Sequence, residues 1–412
     1  MINRETPLDR GAPAANGRAT AIRLVLVLGV VSLFADMTYE GARSISGPYL
    51  AVLGATGTVV GIVAGAGELI GYTLRYVSGR LVDRTARYWP IMFCGYVVNL
   101  LAVPLLALAG HWSAAAVLMV LERIGKAIRT PARDVMLSYA TSQTGRGWGY
   151  GLHEAMDQTG ATVGPLLIAA VLAWRGDYRL AFALLLIPAL ASLSMLTIAR
   201  YMHPRPEDLE RASSSISAHG FTRAFWIYLS GTCLVGAAYA DYPLLAFHFQ
   251  RSGSVPKEWI AIFYAVAMAV DGVAALVLGR WFDRKGMLVL VGATLVSSLF
   301  APLAFGGGFE AALLAAVLWG TGMGAQESIM RSAIAEMTPL DRRGTAFGLF
   351  NMLFGVAWFA GSALMGWLYD VAIPALIAFS VVCQLAAVPF FLAAHRLIRR
   401  DRASSRDAVG SK

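Results

Sequence analysis

Charged residues are scarce in this sequence: Asp, Glu, Lys and Arg make up 14% of its 412 residues. Soluble domains carry about 25% charged residues and about 45–50% apolar ones. Here 57% of the residues are hydrophobic, and they form long blocks such as 24–35, 92–109 and 180–199. One water-soluble core cannot bury that much apolar surface, whereas about 20 apolar residues in a row span a bilayer. The composition therefore predicts a polytopic membrane protein.

Signatures of several function classes are also missing. The three cysteines, Cys94, Cys233 and Cys383, lie inside apolar blocks, which excludes a disulfide framework. The sequence contains no Cys and His pattern of a metal site, no G-x-x-x-x-G-K-[ST], no nucleophile elbow and no zinc signature. We therefore expect no cofactor, no metal, no enzymatic activity and no ATP-driven transport.

Positive charge is present, at a formal net value of +9. The basic residues lie in short loops between apolar blocks, which indicates membrane topology and not nucleic-acid binding. Arg4, Arg10 and Arg18 precede the first block, which continues past Asp36 without the short apolar region and cleavage site of a signal peptide. We expect this block to be retained as the first helix.

The apolar blocks predict twelve membrane spans. They must be helices, because backbone polar groups in hydrocarbon are paired within the segment and the alternation of β-barrel strands is missing. With twelve spans, 26 of the 34 basic residues fall on the side of both termini and four on the opposite side. Lys and Arg accumulate in cytoplasmic loops, so both termini are predicted to be cytoplasmic, in a multi-pass protein of the inner membrane. The predicted spans are 22–50, 57–82, 88–110, 112–137, 146–173, 178–200, 222–249, 257–281, 286–306, 309–335, 343–369 and 373–396.

The longest polar stretch separates the sixth span from the seventh and is rich in Pro, Ser and acidic residues. We interpret it as a flexible cytoplasmic linker between two halves. The predicted organisation is a cytoplasmic N-terminal tail (1–21), a six-helix bundle (22–201), the linker (202–221), a second six-helix bundle (222–397) and a cytoplasmic C-terminal tail (398–412). We expect a monomer.

An internal repeat is the most specific signal in the chain. Gly79-Arg80-Leu81-Val82-Asp83-Arg84 ends the second span, and Gly279-Arg280-Trp281-Phe282-Asp283-Arg284 ends the eighth, 200 residues later. With a shift of 197, Arg146-Gly147, Gly151-Leu152 and Gly164 match Arg343-Gly344, Gly348-Leu349 and Gly361. Two halves of the same fold that face the same way are therefore predicted, with a substrate site between them at the midplane.

These motifs resemble those of the major facilitator superfamily. Gly79-x-x-x-Asp83-Arg84-Thr85-Ala86-Arg87 is similar to the loop signature between its second and third helices, with Ala86 in place of a family Gly; the copy Gly279-x-x-x-Asp283-Arg284-Lys285-Gly286 keeps that Gly. Gly160-x-x-x-Gly164-Pro165 partly resembles the antiporter signature but lacks its following glycine pair. Arg123 stands where the family often carries a buried Arg, without the usual Gln-Gly. The resemblance implies an all-α membrane fold of twelve helices in two pseudo-symmetric six-helix bundles, and it does not identify a substrate.

The repeated loop also predicts a gate. Asp83 and Asp283 end their spans on the side where the eleventh and fifth spans begin, and a carboxylate beside a helix N-terminus is favoured by about 0.3–1 kcal/mol. We hypothesise a cytoplasmic latch that breaks when the halves rock; the alternative is a plain positive-inside loop. The predicted gate residues are Gly79, Arg80, Asp83, Arg84, Arg146, Gly279, Arg280, Asp283, Arg284 and Arg343.

Ionisable residues inside the spans are costly and point to function. Asp36 and Glu40 share one face of the first span. A stripe from Glu122 to Arg133 in the fourth span is expected to face an acidic pair, Glu154 and Asp157, as a proton switch or as a static ion-pair lock. Two simpler interpretations are an interfacial Glu40–Arg43 pair and Arg129 with Arg133 as cytoplasmic anchors or parts of the latch. The proton-coupling candidates are Asp36, Glu40, Glu122, Arg123, Glu154 and Asp157.

Other polar residues near the midplane are candidates for a substrate cavity: Glu68, Lys126, Asp241, Asp271, Gln326, Glu327 and Asn351. The leading hypothesis is a secondary transporter that exports small organic or amphipathic compounds against protons by alternating access. The alternatives are an uptake symporter or facilitator for an organic anion or metabolite, and a membrane sensor or assembly factor that does not transport. The expected partners are a small-molecule substrate, the proton and membrane lipid, and no nucleic acid.

Overall fold

The computed structural model describes residues 15–85, 87–144, 146–204, 221–338 and 343–410, and these residues form helices and short connections. Twelve spans follow one another, and most lie within a few residues of the predicted segments. The first and last helices are longer than predicted. The helices of spans 1 to 12 are, in order, Ala15–Val52; Gly57–Thr85; Tyr88–Leu105 with the turn Leu106–Leu108; Trp112–Thr144; Arg146–Arg175; Tyr178–Leu184 and Leu186–Met202; Arg223–Ala238 and Tyr242–Ser252; Lys257–Lys285; Leu288–Ser297 and Phe300–Gly306; Phe309–Gly324, Ala325–Met330 and Arg331–Met337; Arg343–Val371; and Ile373–Gly410.

Nine helices in the described part of the chain are long and apolar enough to cross a membrane. The other three spans deviate for identifiable reasons. Span 4 carries the predicted stripe of charges, and span 7 is broken between Ala238 and Tyr242. Span 10 contains a π-helix, Ala325–Met330. Broken helices and π-helical turns are frequent where transporters bind their substrates, so these deviations mark the functional region.

The two halves share the packing that the repeat predicts. A side chain at Gly164 of span 5 would meet the backbone of Met37 in span 1, and one at Gly361 of span 11 would meet the backbone of Ala237 in span 7. Met37 and Ala237 are 200 residues apart in sequence, and the two glycines are 197 apart. Equivalent glycines therefore bring equivalent helices into backbone contact, as expected for two pseudo-symmetric six-helix bundles.

This close contact makes a testable prediction. Gly361→Ala should lower the free energy of unfolding by about 1–3 kcal/mol, because the added carbon overpacks the contact with Ala237. Gly348 lies on the same helix with open space around it, so Gly348→Ala should be neutral or slightly stabilising. Thermal unfolding of the purified variants in one detergent checks both. Equal melting temperatures for the two variants would contradict this packing.

The halves meet along three pairs of spans, 1 with 7, 2 with 11 and 5 with 8. We call the side of the molecule where spans 2 and 8 end, at Thr85 and Lys285, the terminal face, because the described part of the chain begins and ends there, at Ala15 and Gly410. The opposite side is the distal face. The connections between spans 1 and 2 and between spans 7 and 8 lie at the distal face.

Candidate functional site

The distal face is closed by a contact between span 11 and the start of span 2. Asp370 accepts hydrogen bonds from the backbone N–H of Gly57 (2.9 Å) and of Thr58 (2.7 Å) and from the Thr58 hydroxyl (2.6 Å). A carboxylate at a helix N-terminus satisfies free N–H groups and meets the positive end of the helix dipole. Asp370 thus caps a helix that belongs to the other half of the molecule.

The equivalent contact between the halves, where span 5 ends and span 8 begins, is formed by a cation and not by a carboxylate. The Lys257 ammonium, at the start of span 8, donates to the carbonyl oxygen of Gly176 just after span 5 and lies 3.9 Å from the centre of the Tyr178 ring. The Tyr178 hydroxyl in turn donates to Gln250 at 2.8 Å. A cation at a helix C-terminus is favoured for the same reason as an anion at an N-terminus. Asp370 and Lys257 together form what we call the distal seam.

Removing the Asp370 cap should open this seam. Loss of a cap costs about 0.5–2 kcal/mol, so Asp370→Ala should raise the population open at the distal face about 2- to 30-fold. The readout is the rate at which an impermeant maleimide labels a cysteine placed at Ser46, in a background without the native cysteines. Thr222→Ala is the matched control, because Thr222 caps span 7 within its own half by accepting from Phe225 N–H at 3.3 Å. Equal labelling rates in both variants would refute the seam.

Below the distal seam, a network of buried charges joins the halves. Arg43 of span 1 lies 3.2 Å from Glu68 of span 2 and 3.7 Å from Asp241 at the break in span 7. Asp241 is 1% exposed and also accepts hydrogen bonds from Trp358 (2.9 Å) and Ser362 (2.6 Å) of span 11. Arg43 is therefore a bridge between the halves.

Arg43 is the cation that acts most strongly on Glu40, as the expected pair requires, but its own ion pairs within 4 Å are with Glu68 and Asp241. Glu40 lies 3.8 Å from the Lys126 ammonium of span 4 and accepts a hydrogen bond from the Tyr264 hydroxyl of span 8. Both partners lie on other helices, because Glu40 and Arg43 point away from the lipid into the seam between the halves. Glu40, like Arg43, connects the N-terminal half to the C-terminal half.

The next charges along span 4 stay within the first half. Arg123 reaches both Glu122 (3.3 Å) and Glu68 (3.5 Å). Glu122 also accepts a hydrogen bond from Asn99 at 2.9 Å. Each of these carboxylates therefore has a cation or an amide donor.

Asp36 is different. Its side chain is 4% exposed, and its buried Oδ1 has no hydrogen-bond partner in the described part of the protein. The cations that act on it most strongly are Lys126 and Arg129 of span 4. A side chain at Gly160 of span 5 would touch its Cβ at 3.1 Å. Asp36 is thus a buried carboxylate between spans 1, 4 and 5 without a direct ion pair.

Only one member of the predicted acidic pair faces the stripe of span 4. Asp157 lies 3.5 Å from both Arg133 and the His153 ring, and Arg133 also donates to Ser32 at 3.3 Å. Glu154, one turn earlier, is exposed and accepts from Gln158 at 3.3 Å. At 100° per residue the two carboxylates differ by 60° around the helix, and this rotation turns Glu154 away from span 4.

Arg129 is not an anchor at the membrane surface. It is 1% exposed, and its guanidinium lies 4.3 Å from the centre of the Tyr96 ring and 5.7 Å from that of Tyr39. The Lys126 ammonium also lies over the Tyr39 ring, 3.8 Å from its centre. Arg133 is likewise largely buried in its pair with Asp157. The sequence placed both arginines too near the surface because it could not show the rings around Arg129 or the pair between Arg133 and Asp157.

The remaining substrate-cavity candidates lie in the second half. Asp271 of span 8 is 2% exposed, and Gln326 in the π-helix is 8% exposed with no described partner for either amide atom. Glu327 is exposed and Asn351 is half-buried. A side chain at Gly324 would meet the backbone of Asp271, so the π-helix begins next to a backbone contact between spans 8 and 10.

The gate motif lies at the terminal face. Gly79 faces Pro131 of span 4 and Gly279 faces Ser328 of span 10, again in pseudo-symmetric positions. The four motif arginines whose side chains are described, Arg80, Arg84, Arg280 and Arg284, are exposed. The side chains of the other four gate residues, Asp83, Arg146, Asp283 and Arg343, lie outside the part of the structure that is described. The latch between them stays a prediction.

A small cavity of about 60 Å³ lies among spans 1 to 4 and is closed by Pro243 of span 7. Arg43, Glu122 and Arg123 line its polar side, and aliphatic residues such as Leu50 and Met119 line the rest. A water needs about 10–15 Å³ by this measure, so the cavity has room for a few waters and not for a drug-sized molecule.

The chain belongs to the major facilitator superfamily, whose family model matches residues 28–362 and 242–410. An uncharacterised protein of Mycobacterium tuberculosis (strain H37Rv) is 40% identical, over 91% of this chain and 93% of that protein. The multidrug resistance protein MdtH of Proteus mirabilis is 22% identical, over 77% and 80%. The crystal structure of the nucleoside transporter NupG has a TM-score of 0.71 at 14% identity, over 89% and 99%. The protein is thus a membrane transporter and not an enzyme, as predicted.

Proposed function

We propose that the protein is a secondary active transporter that exports small organic or amphipathic compounds in exchange for protons by alternating access. The distal seam holds the halves together on one side, and Arg43–Asp241 and Glu40–Tyr264 link them near the centre. Rocking of the halves must break or rebuild these specific contacts. A ligand that favours one set of contacts shifts the equilibrium between the two states.

The burial of Asp36 without a direct ion pair in the described part of the protein is the observation that supports proton coupling. An intramembrane carboxylate without a direct ion pair is costly as an anion, and a proton removes that cost. The groups around it are Lys126 and Arg129 on span 4, Asp157 on span 5, and Tyr39 and Glu40 on its own helix. His153, Asp157 and Arg133 continue from this point between the helices and provide the path along which we propose that the proton leaves.

Export is favoured by the likeness to a protein named for multidrug resistance and by the largely aliphatic lining of the cavity. The test uses purified protein in liposomes, with a set of fluorescent organic compounds added to the outside. A pH gradient should drive accumulation, and collapse of the gradient with an ionophore should stop it. Transport that is equally fast without a gradient would make the protein a facilitator, and movement only down a gradient of anions would exclude proton-driven export.

A second candidate function is uptake of an organic anion or metabolite. Arg43, Arg123 and Lys126 form a cluster of cations around the cavity, and buried cations of this kind can bind a carboxylate or a phosphate. The same liposomes distinguish this function, because anion uptake would then follow protons inward. A membrane sensor or assembly factor, the third hypothesis, would move no compound and would co-purify with a stable protein partner.

We propose the inner membrane as the location, with both termini in the cytoplasm, and a monomer as the working unit. The terminal face then faces the cytoplasm, and the predicted tails (1–21, 398–412), bundles (22–201, 222–397) and linker (202–221) keep their assignments. The proposed cytoplasmic latch has its own test. Asp83→Asn should raise labelling of a cysteine at Tyr76 by an impermeant maleimide in inverted vesicles, because the outward-facing state loses a contact. Unchanged labelling and transport would refute the latch.

A further inference from the structure

Asp271 is a buried carboxyl group with no Lys or Arg within ion-pair distance in the described part of the protein. In the first half, Glu40, Glu68 and Asp157 each lie within 4 Å of a Lys or Arg. The charges that act on Asp271 come from Glu327, Glu154 and Glu40, all of them carboxylates. Its Oδ1 is buried and accepts no hydrogen bond in the described part of the protein. A group that brings positive charge or N–H donors would therefore be stabilised at this position.

A neutral side chain from the other half favours the same kind of ligand, one that brings N–H donors. Gln158 of span 5 packs on Gly272, the residue after Asp271, with its Cγ 3.4 Å from the position of an added Cβ. Its Nε2 donates to Glu154, while its Oε1 is buried without a donor. Two buried acceptors, one from each half, thus lie at neighbouring positions of the seam between spans 5 and 8. Leaving both unpaired is unfavourable, and one donor-rich ligand would satisfy both.

The surroundings suit a ligand that arrives from the terminal face. Glu154 and Glu327 are exposed, on spans 5 and 10. The π-helix of span 10 begins at Ala325, next to the Gly324 contact with Asp271. Exposed carboxylates attract cations toward a buried one, and π-helical turns are frequent at functional sites.

We propose that Asp271 and Gln158 recognise the protonated amine of an organic cation, with Glu154 and Glu327 as the attracting entrance. An ammonium with N–H groups donates charge-assisted hydrogen bonds to Asp271 Oδ1 and Gln158 Oε1. A quaternary ammonium brings the charge without donors, an alcohol brings one donor without the charge, and a carboxylate is repelled. This inference rests on the proposed transport function and names its substrate class.

The test measures binding to the purified full-length protein in nanodiscs with four probes that share one apolar body. These are phenylbutylammonium, its trimethylated form, phenylbutanol and phenylbutyrate. Titration with thermal unfolding as the readout should give the tightest binding for phenylbutylammonium. Asp271→Asn should weaken that binding about 10- to 100-fold, the range that loss of a hydrogen bond to a charged group covers. Glu310→Gln, which removes an exposed carboxylate at the distal start of span 10, should leave it unchanged.

A second variant keeps the proposal testable if Asp271→Asn does not fold. Gln158→Leu removes the neutral acceptor and keeps the charge, so it should reduce the preference for phenylbutylammonium over its trimethylated form. Equal binding of phenylbutyrate, or a preference unchanged in Gln158→Leu, overturns the proposal. If the probes bind as expected but liposomes transport nothing, the transport function fails and the site stands. If Asp271→Asn transports its compounds at the normal rate, the site fails and the transport function stands.

Discussion

Asp36→Asn should abolish transport driven by a pH gradient. The amide has nearly the shape of the protonated carboxyl group, so the protein keeps its fold while one proton site is permanently neutral. Proton-driven accumulation in liposomes should fall by about 5- to 150-fold, the range that a coupling free energy of about 1–3 kcal/mol between two ligands covers. Exchange of labelled for unlabelled substrate at equal pH should continue, because it needs no net proton movement.

Asp177→Asn serves as the control, since this exposed carboxylate lies at the distal end of span 6 and away from the charge network. Loss of both accumulation and exchange in Asp36→Asn would mean that Asp36 is needed for substrate binding or for folding. Full accumulation in Asp36→Asn would show that proton coupling depends on another carboxylate, and Asp157 is the nearest candidate.

Arg43→Met should destabilise the protein strongly. The substitution keeps the length of the side chain and removes the cation that Glu68 and Asp241 share. Removing one partner of a buried ion pair costs about 3–5 kcal/mol, because the other charge stays buried. Glu68 keeps Arg123 at 3.5 Å, so most of the cost falls on Asp241, which retains hydrogen bonds from Trp358 and Ser362.

The double variant Arg43→Met/Asp241→Asn should therefore recover much of the lost melting temperature, although it removes one more charge. Arg87→Met, at an exposed position in the loop before span 3, is the control for loss of a positive charge. A double variant that is less stable than Arg43→Met alone would show that Arg43 and Asp241 do not depend on each other.

Much of the fold was predictable from the sequence because membrane-spanning helices are recognisable from their composition. A bilayer requires long apolar segments, and the paired motifs at Gly79 and Gly279 marked two equivalent halves. The structure adds why the repeat exists: Gly164 and Gly361 bring equivalent helices into backbone contact. Spans 4, 7 and 10, which are irregular or highly charged, carry some of the polar residues that the sequence assigned to function.

The candidate site was predictable in its residues and much less in its pairings. Periodicity places a residue on a helix face, but it does not fix how neighbouring helices are rotated. Arg43 was therefore assigned to Glu40, three positions earlier on the same helix, and it also reaches spans 2 and 7. The role of Asp370 could not be predicted from the sequence, because its partners, Gly57 and Thr58, lie more than 300 residues away in the chain. Contacts of this kind become visible only when the two halves are placed together.

The central claim is that the halves rock about the buried charges and open one face as they close the other. Spin labels at Val52 and Val371 report on the distal face, and labels at Leu81 and Trp281 report on the terminal face; all four positions are exposed and each pair joins the two halves. The distance within each pair should be measured by double electron–electron resonance in lipid, in a background with Cys94, Cys233 and Cys383 replaced. It should be measured before and after a pH change, and with and without a transported compound. The distal distance should lengthen while the terminal distance shortens. Two distances that change together, or that stay fixed while the same protein transports, would contradict the account.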